Sequence, residues 1–308
     1  MQSRYGTIVA LLAVLLLAAA AATMGSYPVY LLSLAMINVI AAIGLNLLTG
    51  NSGQISLCHS SFIAIGAYGS TLLTARYGVP FWAAIPLGAL LAALMGALLG
   101  APASRLRGIY LALATLGFLQ IVQIAIEELA NVTGGVRMSE YARFLIVLGC
   151  CMLAIWIARN LLASRVGREL NAVRLSPHAA QALGVSVHRV KLAAFALSAA
   201  YAGVAGGLQA IVVGFIDPVE FGVSAALRQI TFIVVGGMGS VAGSVIGAAV
   251  LSAMPEALRP VKEYSDVIYT LMLLGFLIFV PHGLVTVWYV IARRMRRHAP
   301  AAPAEARP

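Results

Sequence analysis

Charged residues are scarce in this sequence. Asp, Glu, Lys and Arg make up 10% of the 308 residues, whereas hydrophobic residues make up 61%. A soluble domain carries roughly 25% charged residues, so water could not cover this much apolar surface. A transmembrane helix needs about 20 mostly apolar residues, and the chain has room for roughly eight to ten such spans with short loops. The composition therefore predicts an all-α, polytopic transmembrane bundle without a soluble domain of ordinary size.

Catalytic and metal-binding groupings are also lacking. Cys58, Cys150 and Cys151 lie in apolar surroundings without metal or disulfide spacing, which indicates small buried hydrophobic residues. His59 and His282 have no His, Cys or carboxylate neighbour at i+3 or i+4. No Ser/His/Asp grouping and no glycine loop ending in Lys-Ser/Thr occurs. The chain is predicted not to be an enzyme and to bind no cofactor or metal of its own.

Acidic residues and lysine are absent from the middle of every apolar run. Ion-coupled carriers commonly keep an ionisable group in the membrane for function. This absence weighs against a secondary transporter or channel, which would also require two related inverted halves. A membrane-embedded enzyme would need clustered reactive groups rather than isolated histidines.

Long apolar runs are what the sequence does contain. They lie at roughly 7–24, 29–48, 60–74, 81–101, 109–126, 144–162, 191–213, 224–239, 240–254 and 267–291. The runs 60–74, 224–239 and 240–254 are shorter than a full span and could be tilted, broken or re-entrant. We expect ten crossings, with eight or nine as alternatives. The first run resembles a signal peptide, but a second span follows almost at once, so a retained helix is the simpler interpretation.

The placement of charge predicts the orientation. With the amino terminus inside and ten alternating spans, 14 of the 20 Lys and Arg residues fall inside, and eight of the ten acidic residues fall outside. This distribution satisfies the positive-inside rule and explains the net charge of +10. We therefore expect cytoplasmic termini, one transmembrane domain over residues 1–298, and a disordered tail over 299–308.

Small and polar residues inside the runs predict how the helices pack. Small residues recur at four-residue intervals, which favours close helix contact: Gly88, Ala92, Gly96 and Gly100; Ser198, Ala202 and Gly206; Gly239, Gly243 and Gly247. The polar residues Asn46, Gln54, Thr115, Gln120 and Gln123 are candidates for a translocation path. Hydrogen bonding between helices is the alternative for such residues, and it also applies to Asn38.

The longest internal hydrophilic segment, residues 164–191, is predicted to be a cytoplasmic loop. Ser176 is a suitable helix cap, Pro177 suits the first helical position, and Gly184 is a natural terminator. A short helix with exposed alanines and flanking arginines therefore lies between two spans. It is either a connector or a surface that docks into a groove of another protein.

The same segment, "GRELNAVRLSPHAAQALGVSVHRVKLAAFALSAAYAGVAGGL", resembles the LivM-type permease subunit of branched-chain amino acid ABC importers. The resemblance continues in order over roughly residues 36–288. It includes "GLNLLTGNSGQISLCHSSFIAIGAYGSTLL", "RGIYLALATLGFLQIVQ", "NVTGG", "FIVVGGMGSVAGSVIGA", "PEALR" and "PHGL".

This resemblance implies a multi-pass permease of the bacterial inner membrane that carries branched-chain or other hydrophobic amino acids. It also implies a second related permease, two cytoplasmic ATPases that bind ATP and Mg, and a periplasmic binding protein. Related permeases carry urea, amides or aromatic acids, which remain alternative cargoes. The family's ATPase-coupling role is carried onto eight loop residues: Arg174, Leu175, Ser176, Pro177, His178, Ala179, Ala180 and Gly184.

The chain departs from the family pattern at two places. Ser176-Pro177-His178 stands where the family usually has acidic residues before paired alanines, so the ATPase contact is expected to differ. Thr133-Gly134-Gly135 leads into Val136-Arg137 rather than Pro-Asn-Gly, so substrate delivery is expected to differ as well.

Overall fold

The computed structural model describes residues 25–106, 108–128 and 138–257, and these residues contain no β-strand. Their helices are α1 (Ser26–Leu45), continued by a π-helix (Asn46–Asn51), α2 (His59–Tyr77), α3 (Phe81–Ala103), α4 (Ile109–Glu128), α5 (Glu140–Ala163), α6 (Arg165–Leu175), α7 (Pro177–Ala182), α8 (Val187–Val213), a 3₁₀ helix (Pro218–Phe221), α9 (Val223–Gly236) and α10 (Val241–Ala257).

Eight of the ten predicted apolar runs coincide with helices of this structure. Five helical segments are long and apolar enough to cross a membrane: Ser26–Asn51, Phe81–Ala103, Ile109–Glu128, Glu140–Ala163 and Val187–Val213. Two shorter apolar helices, α9 and α10, follow them. The predicted first and last spans, the tail 299–308 and the Thr133–Arg137 segment lie outside the described residues.

Helix α8 lies at the centre of the bundle, packed against α1, α2 and α3. Glycines bring these helices into backbone contact. A Cβ atom added at Gly66 of α2 would collide with the backbone of Gly203 of α8, and one added at Gly206 would collide with the carbonyl oxygen of Ile63. Lipid provides no hydrophobic drive between helices, so this close van der Waals contact holds them together.

The interruption after α1 is partly buried: Gly53 and Ile55 are exposed, whereas Gln54, Ser56 and Cys58 are buried. Residues 53–58 are not helical, and α2 begins at His59. The His59 ring pairs through Nε2 with the Ala41 carbonyl oxygen (2.9 Å) and through Nδ1 with the Ser198 hydroxyl (3.2 Å). Irregular backbone inside a membrane protein is tolerated only where other protein groups form hydrogen bonds with its N–H and C=O groups. The backbone N–H of Leu57 accordingly donates to Thr115 Oγ1 at 3.0 Å.

The prediction that Gly239, Gly243 and Gly247 share one helix face is wrong for Gly239. Helix α9 ends at Gly236, and Gly239 lies in the following turn with φ of +85°. Gly237 also has a positive φ, of +119°. Glycine adopts a positive φ without steric cost, so two such glycines readily end a helix. Helices α9 and α10 therefore form a hairpin. Gly243 and Gly247 do lie on α10, where both contact Gly236.

We expect Gly206→Leu to lower the stability of the bundle, because the added atoms must displace the α2 backbone. Overpacking of this kind costs about 1–3 kcal/mol or more. The matched control is Gly149→Leu in α5, where an added Cβ meets nothing within 4 Å. Thermal unfolding of the detergent-purified protein would measure the difference. Equal melting temperatures for the two variants would contradict the packing described here.

Candidate functional site

Residues 165–182 of the predicted loop 164–191 fold into two helices, α6 and α7, and residues 187–191 begin α8. The sequence pattern predicts only α7. Helix α6 buries Gly167, Leu170 and Val173, a three-residue spacing that faces the bundle. Its outer side carries an ion pair between Arg165 and Glu169 at 2.8 Å. The segment is therefore a packed part of the protein rather than a loose connector.

Helix α7 has the cap and terminator that its sequence indicates. Ser176 Oγ accepts a hydrogen bond from the Ala179 backbone N–H at 3.2 Å, and Pro177 occupies the first turn. Gly184 has φ of +80°, which suits the chain reversal after the helix.

The expectation of exposed alanines on α7 is correct for Ala179 and Ala182 and wrong for Ala180, which is only 2% exposed and joins the main core. Leu175, the last residue of α6, and Leu183, which follows α7, are 86% and 82% exposed. His178 is also exposed. This outer surface, comprising Leu175, Ala179 and Leu183, is apolar and is called the α7 surface below.

Arg174, at the end of α6, connects this loop to the interior of the bundle. Its side chain packs against Gly53, where an added Cβ would lie 3.3 Å from Arg174 Cγ. Its guanidinium approaches Gly239 in the α9–α10 turn, with Nη1 2.6 Å from an added Cβ. Asn46 holds the same turn from the π-helix, since Gly239 N–H donates to Asn46 Oδ1 (2.8 Å) and Asn46 Nδ2 donates to the Ser240 carbonyl (3.0 Å). The loop, the π-helix and the turn therefore meet at one junction.

A cavity of about 730 Å³ lies between α1, α2, α8, the 3₁₀ helix, α9 and α10. Its size is within the usual range for small-molecule sites. The polar and charged residues in its wall are Asn38, Ser60, Gln209, Asp217, Glu220, Ser224, Arg228, Gln229 and Ser252. Five residues of α9 line it at helical spacing: Ser224, Ala225, Arg228, Gln229 and Phe232.

None of the five sequence-predicted path residues lines this cavity. Asn46, Gln54 and Thr115 are buried and hydrogen-bond to other segments, with Gln54 Nε2 donating to the Lys191 carbonyl oxygen of α8 at 3.5 Å. Gln120 is exposed, and Gln123 donates to Glu127 one turn along the same helix at 3.4 Å. These contacts match the alternative of structural hydrogen bonding for the three buried residues. A place in the path stays a prediction for all five.

Asn38 does line the cavity. Its Nδ2 donates to Ser252 Oγ at 2.9 Å, and its Oδ1 accepts from Gln229 Nε2 at 3.4 Å. These bonds join α1 to both arms of the α9–α10 hairpin.

The charged residues of the cavity were not among the sequence-predicted site residues. The apolar runs lack Asp, Glu and Lys at their centres, but this absence does not extend to arginine, because Arg228 lies within the run 224–239. The detectable signal is the four-residue spacing of Ser224 and Arg228, with Gln229 beside Arg228, which places polar residues on one face of an otherwise apolar helix. Asp217 and Glu220 come to the cavity through the 3₁₀ helix, which sequence spacing alone does not indicate. Over residues 25–106, 108–128 and 138–257, no three His, Cys, Asp or Glu side chains cluster as a metal site would require.

We expect Asn46→Leu to destabilise the junction, because it leaves the Gly239 N–H and the Ser240 carbonyl without their partner. An unsatisfied buried group costs about 1–3 kcal/mol. Asn160→Leu on the exposed side of α5 is the matched control. Unfolding of both variants by denaturing detergent would test this, and equal stability of the two would argue against a junction held by Asn46.

Comparison with known proteins identifies the family to which this bundle belongs. The sequence model of the family described as branched-chain amino acid transport system / permease component matches residues 27–280. The LivM permease protein of the high-affinity branched-chain amino acid transport system of Escherichia coli K12 is 35% identical over 291 residues, covering 82% of this chain and 68% of that protein.

Two more distant permeases also match. The LivH permease protein of Salmonella typhimurium is 27% identical, over 80% of this chain and 90% of its own length. The LsrC permease protein of an autoinducer 2 import system from Klebsiella pneumoniae is 34% identical over 42% of this chain and 41% of its own length. No solved structure matches the sequence. Because the family model covers most of the chain and the LivM relative covers 82% of it, this protein belongs to the family of branched-chain amino acid transport permease components.

Proposed function

We propose that this permease carries branched-chain or other hydrophobic amino acids across the bacterial inner membrane in an ATP-driven importer. A periplasmic binding protein delivers the substrate, and separate cytoplasmic subunits bind and hydrolyse ATP. The observation that carries this proposal is the match of residues 27–280 to a family of branched-chain amino acid permeases. The cavity lined by both charged and apolar side chains supports it, because an apolar amino acid has both kinds of group.

The α7 surface is the proposed seat of an ATPase subunit. Leu175, Ala179 and Leu183 present apolar area on and beside a short capped helix, a suitable shape for a groove in a partner. Ser176, Pro177 and Gly184 fix the limits of that helix, while the buried Ala180 anchors it to the core. His178 lies at its exposed start, in place of the family's acidic residues.

Arg174 gives this surface a connection to the membrane helices. Its contacts with Gly53 and Gly239 mean that a displacement of α6 or α7 reaches the α9–α10 turn directly. Closure of ATP-bound ATPase subunits would bias the bundle between two arrangements through this contact.

A second, related permease is the proposed partner in the membrane. LivM and LivH are both named as permease proteins of a high-affinity branched-chain amino acid transport system, and both are related to this chain. Cytoplasmic termini and a cytoplasmic location for residues 164–191 follow from the positive-inside distribution of charge.

A different cargo on the same architecture is the second candidate function. The LsrC relative is named as a permease of an autoinducer 2 import system, so related chains serve dissimilar solutes. Urea, amides and aromatic acids belong to this alternative. An ion-coupled secondary transporter is disfavoured by membership of the permease family.

The variant Ala179→Trp is expected to block ATPase coupling, because the indole would occupy the surface where the partner seats. Uptake should fall to background, and the ATPase subunits should no longer co-purify with the permease. Ala75→Trp, at an exposed position near the end of α2, is the control. Normal uptake by Ala179→Trp would contradict the docking assignment.

The cargo is tested by uptake in proteoliposomes that hold the permease pair, the ATPase and the binding protein. We expect ATP-dependent, binding-protein-dependent accumulation of leucine, isoleucine or valine in preference to urea. Accumulation of urea or an aromatic acid alone would establish the alternative cargo. Uptake by the isolated chain on an ion gradient would overturn ATP-driven import itself.

A further inference from the structure

Helix α9 begins at Val223, at the edge of the cavity. Val223 and Ser224 are exposed, Ser224 and Ala225 line the cavity, and no side chain caps the N-terminus of the helix. The preceding residue, Gly222, accepts a hydrogen bond from Ser60 of α2 at 3.5 Å. The first N–H groups of a helix have no partner within the helix, and they carry partial positive charge. An interrupted membrane helix of this kind suits the anionic group of a substrate.

Arg228, one turn into α9, adds a full positive charge to the same wall. Among the residues that the structure describes, it forms no ion pair, since the one pair present joins Arg165 to Glu169. Arg228 is an exposed residue of an apolar helix, and charged residues that face a water-filled cavity of a membrane protein commonly mark a substrate pathway. The arginine fork is well shaped for a carboxylate, which it binds through two parallel hydrogen bonds.

Negative charge lies in the wall of the same cavity. Asp217 and Glu220 both line it, and Asp217 Oδ1 caps the 3₁₀ helix by accepting from the Val219 N–H at 2.9 Å. The Glu220 carboxylate accepts no hydrogen bond within residues 25–106, 108–128 and 138–257, and neither carboxylate forms an ion pair with Arg228. The cavity therefore keeps unpaired charges of both signs.

Gln229 provides an independent indication of a missing ligand. Its side chain is only 6% exposed and lines the cavity, and its Oε1 has no hydrogen-bond partner in this structure. A buried acceptor left unsatisfied is costly, so a donor from a ligand is expected there. The opposite side of the same amide is occupied, since Nε2 donates to Asn38.

The remaining wall of the cavity is apolar. It is formed largely by Leu34, Ile37, Ile63, Phe221, Phe232 and Leu251. Such a wall favours a hydrocarbon side chain over a polar one.

From these features we infer that the cavity is a binding site for the zwitterionic form of an apolar α-amino acid during its passage. The carboxylate binds Arg228 and the N-terminus of α9. The ammonium group binds Glu220, Asp217 and Gln229 Oε1, and the side chain lies against the apolar wall. This inference rests on the proposed function and deepens it, because it assigns substrate contacts to the permease itself. It also disfavours urea, which carries no charge.

The test compares Arg228→Gln, Arg228→Lys and Glu220→Gln with the unaltered chain in the assembled transporter in proteoliposomes. Radiolabelled leucine uptake and ATP hydrolysis stimulated by leucine-loaded binding protein are measured on the same vesicles. The control is Arg76→Gln, at an exposed arginine near the end of α2. We expect Arg228→Gln and Glu220→Gln to lower the leucine carried per ATP hydrolysed at least tenfold. Arg228→Lys should retain more than Arg228→Gln, and Arg76→Gln should match the unaltered chain.

The outcomes separate this inference from the proposed function. Leucine uptake by the unaltered transporter with no loss in Arg228→Gln and Glu220→Gln would overturn the site and leave the amino acid importer standing. A parallel fall of uptake and ATP hydrolysis in both Arg228→Gln and Arg228→Lys would indicate a structural role and would also overturn the site. No leucine uptake by the unaltered transporter, with ATP-dependent uptake of urea, would overturn the proposed cargo and the site together.

Discussion

Backbone contact between α2 and α8 is the constraint on which the rest of this bundle depends. Gly66 faces Gly203, and Gly206 faces the carbonyl of Ile63, so neither helix can move outward without losing this contact. Apolar side chains gain little by leaving lipid for one another, so close backbone approach and hydrogen bonds between helices, such as that of His59 with Ser198, favour the packed over the separated helices. The cavity depends on it as well, because Ser60 and Ile63 of α2 and Gln209 of α8 lie in its wall.

Interrupted helices leave backbone N–H and C=O groups that need hydrogen-bond partners, and buried polar residues provide them. The break between Asn51 and His59 and the turn at Gly237–Ser240 leave backbone groups inside the bundle. Thr115 takes the N–H of Leu57, and Asn46 takes that of Gly239. Polar residues buried in a membrane protein can thus form hydrogen bonds to irregular backbone as well as line a translocation path. This dual use explains why Asn46, Gln54 and Thr115 resemble path residues in sequence, while the structure gives them structural partners.

Local features of this protein could be predicted from sequence, and features assembled from distant segments could not. The cap at Ser176, the stop at Gly184 and eight apolar helices depend on short-range patterns, and the structure contains them. The sequence does not predict α6, because the charged residues on its outer side obscure the pattern of its buried residues Gly167, Leu170 and Val173. It places Gly239 on a helix wrongly, because the four-residue spacing of glycines continues across a turn. The cavity brings together segments from residue 30 to residue 255, a juxtaposition that no local pattern encodes.

Helix α9 joins the two functional regions of the chain. Its first turns carry Ser224 and Arg228 in the cavity wall, and the turn after its last residue is held by Asn46 and touched by Arg174. Its 14 residues span about 21 Å as one rigid element. A packed helix shifts as a unit rather than bending along its length. In the proposed function, a push on Arg174 from α6 or α7 moves the turn and displaces Arg228 relative to Ser60 and Asn38 on the facing helices. On that proposal, binding in the cavity and events at the α7 surface are coupled through a single element.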